Sequence, residues 1–282
     1  MSDRPLADLV KQVTAELSKA GIDNAPREAR LLVAKVCNLP PDRVGLEGGR
    51  PVSETEADTV AAMVSERQRR KPLSHLLGYR AFYKHRFAVS PDVLDPRPET
   101  ETLVLAALEH PFDTVLDLGT GSGAILLSLL ADRPGTRGLG TDLSARALRV
   151  AEENARRLSL SDRARFQQGD WFHGIKGRFD LIVSNPPYIA LDEMAGLQPE
   201  LSYEPRMALT DEGDGLGAYR AITRGAPPHL EPGGRLLVEI GVTQGADVAM
   251  LFRAAGLQDV CVQPDLDGRD RVVDGRLPAA KQ

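Results

Sequence analysis

The chain is predicted to be an α/β protein: a seven-stranded, mostly parallel sheet with an antiparallel last strand, preceded by a small helical domain. Three observations lead there. The first seventy or so residues carry apolar positions at helical spacing. From Thr114 onward, short apolar runs alternate with longer helical patterns, as in a parallel sheet covered on both faces. The last two apolar runs, Leu257–Gln263 and Arg271–Arg276, leave no room for a helix between them, so they pair antiparallel with the last one inserted into the sheet.

In the first segment, Leu6, Leu9, Val10, Val13 and Leu17 share one helical face, and Gly21 supplies the stop. A second helix starts near Pro26, a favourable first-turn residue, and carries Ala29, Leu32, Val33 and Val36 before Pro40-Pro41. Ser53-Glu54-Thr55-Glu56 has the capping-box pattern and opens a third helix through Val60, Met63 and Val64 that ends before Pro72. No catalytic cluster falls in residues 1–72, and substrate docking is the expected role. Residues 73–98 form a bridge with a hairpin, Arg80 to Tyr83 and Arg86 to Val89 around Lys84-His85, followed by Pro91, Pro96 and Pro98. A helix from about Glu99 to Leu108 leads into a catalytic domain spanning 99–282. Its strands are expected near Thr114–Leu118, Arg137–Gly140, Ala164–Gln167, Phe179–Ser184 and Gly234–Ile240, ahead of the final pair. Helices are expected near Ala124–Ala131, Ser144–Leu158, Gly215–Leu230 and Gln244–Ala255.

Composition narrows the function. A formal charge of −5 in 282 residues argues against a broad phosphate-binding face, so no direct nucleic-acid partner is expected. Cys37 and Cys261 make no CxxC, and the five histidines show no close pair, so neither a disulfide framework nor a metal is expected. No apolar run is long enough for a membrane span, and Asp3 and Arg4 interrupt any leader-like start, so a cytoplasmic protein, expected as a monomer, is the default.

The chemistry is expected at strand ends. Val115 to Leu118 runs into Gly119-Thr120-Gly121-Ser122-Gly123, a turn whose glycines let a ligand approach the backbone and which feeds a helix N-terminus. Asp117, just before it, offers a carboxylate to a cationic ligand. Asp142, about twenty residues beyond the last glycine, is placed to accept hydrogen bonds from ribose hydroxyls, or to cap the next helix. Gly169-Asp170-Trp171-Phe172 adds an acceptor for an adenine amino group and the chain's only tryptophan, which would pack beside the ring or serve as a rim aromatic. These features indicate a nucleoside across the sheet crevice without separating NAD from S-adenosylmethionine.

Phe179 to Ser184 followed by Asn185-Pro186-Pro187-Tyr188 separates them. Two prolines cannot continue a central strand, so the chain turns outward at Asn185. A conjugated NH2 is a poor nucleophile because its lone pair is delocalised. The Asn185 side-chain oxygen and the Pro186 carbonyl can hold its two N–H bonds and stabilise charge developing on nitrogen, with Tyr188 stacked on the planar group. This arrangement suits methyl transfer to an amino group. The four residues alone would hold a nucleobase or an amide equally well.

With these motifs, the chain resembles the bacterial peptide chain release factor glutamine N5-methyltransferases. The resemblance is carried by DLGTGSG (117–123), the Thr141-Asp142 and Ser144 positions, NPPY (185–188), PLSHLLGYRAFY (72–83), VLDPRPETE (93–101), GDWF (169–172), LSYEPRMAL (201–209) and GRDRVV (268–273), in order over nearly the whole chain. Asp95 stands where an apolar residue is common, and His75 where a Tyr is common. The resemblance implies a class I, Rossmann-like methyltransferase domain and methylation of the Gly-Gly-Gln glutamine of translation release factors, with S-adenosylmethionine as cofactor. By position, Gly119, Thr120, Gly121, Ser122, Gly123, Asp142, Trp171 and Asn185 would bind the cofactor. Asn185, Pro186, Pro187 and Tyr188 would hold the glutamine, with Asn185, Pro186 and Tyr188 acting in catalysis. Arg97 to Thr100 matches a segment near the active site. The alternatives are a ribosomal-protein glutamine, a DNA or RNA amino group, or a nucleoside-binding module without catalysis.

Overall fold

The computed structural model describes residues 4–279. These form two compact units, one of residues up to 79 together with 199–203, the other of residues 80–198 and those from 204 on.

In the first unit, a two-residue strand β1 (Arg4–Pro5) leads into helices α1 (Leu6–Lys19) and α2 (Ala25–Val36). A second short strand β2 (Pro51–Val52) precedes α3 (Glu54–Gln68) and α4 (Leu73–Leu77). Leu6, Leu9, Val13 and Leu17 bury one face of α1 against Ala29, Leu32 and Val33 of α2 and Val60 and Val64 of α3, so the predicted periodicity describes the real core. The capping box is present: the Ser53 hydroxyl accepts from the Glu56 amide at 3.2 Å, and the Glu56 carboxylate accepts from the Ser53 amide at 2.9 Å. The Arg50 guanidinium, with the Ser53 amide behind it, holds the Glu56 carboxyl down to about 2. Neither the β1–β2 pair nor α4 is apparent in the sequence, because elements this short give no periodicity. Residues 199–203 join this unit through side chains: Arg67 donates to both Glu28 and Glu200, and the Tyr203 hydroxyl donates to the Arg69 carbonyl.

The second unit opens on a hairpin, β3 (Tyr79–Phe82) and β4 (His85–Ala88). Its turn falls at Tyr83-Lys84, one residue earlier than expected, because Tyr83 takes the left-handed conformation at φ 52°. A 3-10 turn (Pro98–Thr100) runs into α5 (Glu101–Leu108). There follow β5 (Thr114–Leu118), α6 (Ala124–Asp132), β6 (Arg137–Asp142), α7 (Ala145–Arg157), β7 (Ala164–Gln168) and β8 (Phe179–Ser184). Helix α8 (Gly217–His229), β9 (Leu230–Glu239), α9 (Gly245–Ala254), β10 (Gln258–Pro264) and β11 (Asp270–Arg276) complete it. The sheet order is β10-β11-β9-β8-β5-β6-β7, and β11 lies antiparallel between β10 and β9, as the missing helix before it requires.

The helices follow their burial patterns. Every residue of α6 from Ala124 to Leu130 is buried, which explains why its sequence is apolar all round. Helix α7 instead buries Ala147, Leu148, Ala151 and Ala155 along one stripe and turns its charges outward. Strand β9 starts four residues before its expected first residue: Leu230 already pairs with Phe179, and a register shift lets the chain pass Pro232 before regular pairing resumes at Arg235.

Arg235 is a charged side chain of β9 buried in the core. It is 5% exposed, grips Asp274 of β11 with two hydrogen bonds of 2.6 and 3.3 Å, and donates to the Ala106 carbonyl of α5. Removing one partner of such a pair leaves a buried charge uncompensated, at a cost of about 3–5 kcal/mol. Arg235→Met is therefore expected to lower the urea midpoint sharply, read by the fluorescence of Trp171, which reports on this unit. Adding Asp274→Leu should recover most of the loss. A midpoint unmoved by Arg235→Met would contradict this assignment.

Candidate active site

Register builds the site. Strand β5 has β8 on one side and β6 on the other, and the chain leaves it in opposite directions, so a crevice opens at the carboxyl ends of these strands. Leu118 pairs with Ser184 and with Thr141, which sets Gly119 beside Asn185 on one flank and beside Asp142 on the other. Asp142 pairs in turn with Gln168, so Gly169-Asp170-Trp171 comes next in the row. Four motifs far apart in sequence thus lie side by side along one sheet edge.

A single cleft collects them. Gly119, Thr120, Gly121, Ser122, Asp142, Trp171, Asn185 and Pro187 all line it. Gly123, Pro186 and Tyr188 do not. Gly123 is the residue before α6, at φ 79°, and a Cβ there would sit 3.1 Å from Leu127 and 3.2 Å from Ala151, so its role is to let α6 and α7 close up. Pro186 is buried behind the loop. Tyr188 packs among apolar side chains of the β9 side, with its carbonyl held by Gln244 at 3.0 Å. Burial, with Glu239 nearby, pushes its phenol up to about 12.

The glycine turn is fixed from beneath. Gly119, Gly121 and Gly123 all have φ between 54° and 79°. The Thr120 amide donates to the Thr141 carbonyl, and the Gly121 amide donates to the Asp142 carboxylate at 2.9 Å. The other Asp142 oxygen accepts from the Ser144 amide at 2.8 Å, while Ser144 itself caps α7. Asp142 therefore joins the turn to the helix start and still faces the cleft. Burial raises its carboxyl, opposed by those two amides.

Asp117 is corrected. It is fully buried and faces no cleft; its Oδ2 accepts from the Thr120 hydroxyl at 2.6 Å, so it supports the turn rather than a cationic ligand. Burial pushes its carboxyl up to about 7, against the pull of the Thr120 hydroxyl and the Leu126 amide.

Trp171 takes the left-handed conformation at φ 48°, held by its neighbour. Phe172 stacks on His229 with centroids 4.7 Å apart and fills the notch at Gly225, where a Cβ would come within 2.2 Å of the Phe172 ring. On the opposite wall, Asn185 donates from Nδ2 to the Thr100 hydroxyl at 3.1 Å.

Three further buried polar groups surround the site, of which Glu204 lies inside the 201–209 motif and Glu239 ends a strand. Asn154 on α7 is 1% exposed; it donates to the Ser122 and Ala88 carbonyls and accepts from the Ala88 amide, stapling the glycine turn to the hairpin. Glu204 is buried, paired with Arg97 at 2.5 Å, and accepts from the Asp95 amide. That contact keeps Pro205, Met207 and Ala208 on the cleft wall, and it gives Asp95 a buried polar setting. Glu239 at the end of β9 is 1% exposed. Asn154 sits mid-helix like any solvent-facing amide, and only the tertiary partners reveal it.

Comparison with known proteins places this architecture. Residues 8–78 match the PrmC N-terminal domain and residues 89–215 the methyltransferase small domain. A release factor glutamine methyltransferase from Cereibacter sphaeroides is 53% identical over 275 residues, covering 97% of this chain and 99% of that protein. The chain belongs to the release factor glutamine methyltransferases. Proteins of the same designation from Rhodospirillum rubrum (46% identical, 98% of this chain and 86% of that protein) and Caulobacter vibrioides (44%, 95% and 96%) align equally far. A methyltransferase from Pyrococcus furiosus shares the fold at TM-score 0.53 and 17% identity, covering 68% of this chain and 88% of that one. The family thus has a class I methyltransferase sheet with a helical N-terminal domain, as expected from sequence. No helix among the described residues is long and apolar enough to cross a membrane.

The Asp117 carboxyl makes stability pH-dependent. Its folded value of about 7 lies above the ordinary carboxylate value of about 4, so the folded protein retains a proton that the unfolded chain releases. This contribution is complete below about pH 4 and is lost as pH rises toward 7. Relative to Asp117→Asn, the wild-type urea midpoint should fall across that window and then level off. A difference constant from pH 4 to 8 would contradict the burial assignment.

Proposed function

We propose that this enzyme methylates the side-chain amide nitrogen of the glutamine in the Gly-Gly-Gln motif of translation release factors, with S-adenosylmethionine as methyl donor. The observation that carries the reading is the β5–β8 register, which sets Asn185 next to the glycine turn on a shared cleft. A release factor as substrate is supported by the designations of relatives that align over 97% and 98% of the chain.

The cleft fits the cofactor. Gly119 and Gly121 have open space where a Cβ would stand, leaving their backbone approachable. Asp142 keeps lone pairs for ribose hydroxyls beyond its two amide contacts. Gly119, Thr120, Gly121, Ser122, Asp142, Trp171 and Asn185 would hold the group, with Asp170 toward the adenine, while Gly123, which does not line the cleft, supports the turn. When bound, S-adenosylmethionine supplies an electrophilic methyl group on a sulfonium.

The chain's own residues do the rest. The Asn185 Oδ1 accepts an N–H of the glutamine amide and aims its nitrogen; the Pro186 carbonyl would take the other N–H only by turning toward the cleft, which Pro186 does not line. The Asn185 oxygen faces positive charge gathering on nitrogen, and the prolines hold the loop so that little reorganisation is needed. The amide nitrogen would take the methyl group of the bound donor, with the sulfur leaving as a thioether, and the amide proton, made acidic by alkylation, would leave to water. Tyr188 lies behind the loop and stiffens it, a role more consistent with its packing than stacking on the substrate. Residues 1–72 serve to dock the release factor, and residues 73–98 link them to the catalytic domain 99–282.

The test is incubation with labelled S-adenosylmethionine and a purified release factor, the methyl group being located by mass spectrometry. Label is expected on the Gly-Gly-Gln glutamine and absent when that glutamine is replaced. Asn185→Ala should lower kcat by roughly 10²–10³-fold while cofactor binding largely survives. Label persisting in the glutamine variant, or full turnover by Asn185→Ala, would overturn the reading.

A further inference from the structure

An asparagine serves the proposed chemistry only one way round, with its oxygen toward the incoming NH2. The amide torsion is roughly two-fold, so the side chain needs a neighbour to choose between its faces. Asn185 Nδ2 donates to the Thr100 hydroxyl at 3.1 Å. A hydroxyl both donates and accepts, so Thr100 alone would tolerate either orientation. The choice depends on where the Thr100 proton goes.

Thr100 is 4% exposed, and beside it lies Glu239, 1% exposed at the carboxyl end of β9. Val238 pairs with Ser184, so Glu239 and Asn185 come next on neighbouring strand ends, and Glu239 Oε2 is sealed from solvent with no hydrogen-bond partner in the structure. The Thr100 hydroxyl and the Tyr188 phenol lie close enough to pull the Glu239 carboxyl down. An ionised carboxylate can only accept. A hydrogen bond donated by the Thr100 hydroxyl to that carboxylate would leave Thr100 an acceptor toward Asn185, which turns the amide nitrogen inward and its oxygen outward. We infer that Glu239, acting through Thr100, sets the direction of the Asn185 amide and that both are positioning residues for the transfer. The inference rests on the methyl-transfer reading of Asn185.

A protonated Glu239 would reverse the logic, since it can donate to Thr100 and free the threonine proton for a flipped amide. Burial pushes the Glu239 carboxyl up to about 7; Thr100, Arg271 and Tyr188 pull it down and Glu99 pushes it up. Tyr219, from α8, donates to the Glu239 main-chain carbonyl at 2.9 Å and so does not compete for the carboxyl. The orienting charge is present above about pH 7 and is lost below it.

Two readouts on the full-length protein test this. In methyl transfer to a release factor, Thr100→Val should lower kcat by about 10- to 100-fold, with KM and cofactor affinity little changed, and Thr100→Ser should restore it. Wild-type kcat should fall as pH drops through about 7, and Glu239→Gln should flatten that step. Independently of any substrate, the Asn185 side-chain NH2 signals in NMR, assigned by their loss in Asn185→Ala, should shift with pH near 7. That shift should vanish in Glu239→Gln, and the signals should move in Thr100→Val. Wild-type kcat in a folded Thr100→Val, or Asn185 signals indifferent to both substitutions, would overturn the inference. Failure of the functional reading looks different: no methylated release factor from the wild type, while the Asn185 signals still follow Glu239.

Discussion

The parallel pairing of β5 with β8 is the constraint on which the site depends. It fixes Leu118 opposite Ser184, and each strand is ended by residues that cannot prolong it: a glycine turn after β5 and two prolines after β8. Had β8 slipped by one residue, its side chains would exchange faces and Asn185 would leave the crevice. The register is secured by burial on both faces, since Leu181, Ile182 and Val183 are all essentially inaccessible, and at its far end by Asp180, which accepts from the amides of Asp113 and Thr114 and from the Thr114 hydroxyl.

From that constraint the division of labour follows. Several of the polar groups around the cleft serve as braces. Asp142 ties the glycine turn to α7, Asn154 ties the same turn to the hairpin, and the Arg97–Glu204 pair ties the 204–208 segment to the strip before α5. Each brace joins elements distant in sequence, and each is buried enough that its loss would leave an unpaired polar group. A cleft held this way loses little order at the moment of reaction, which is the condition electrostatic stabilisation of a developing charge requires.

The sequence disclosed those features whose physics is local. The glycine turn, the prolines that end β8, the capping box at Ser53 and the missing helix before β11 each follow from backbone chemistry within a few residues, and the strand bounds at Thr114–Leu118 and Phe179–Ser184 are as expected. Features that depend on a distant partner were not legible. Asp117 looked like a ligand-facing carboxylate, and only the tertiary structure turns it inward to Thr120. Tyr188 looked like a stacking platform, and burial against the β9 side removes it from the cleft. Asn154 carries no local signal, and Glu204, though inside the 201–209 motif, gives no sign of its partners, because these lie on other elements.

The central claim is that Asn185 holds a glutamine amide at the mouth of the β5–β8 crevice. Its most direct test is a crystal structure of the protein with S-adenosylhomocysteine and a peptide carrying Gly-Gly-Gln. The account predicts the glutamine amide nitrogen about 3 Å from the Asn185 side-chain oxygen, with the nucleoside along Gly119–Asp142. A glutamine bound elsewhere, or an Asn185 oxygen turned toward Thr100, would contradict it.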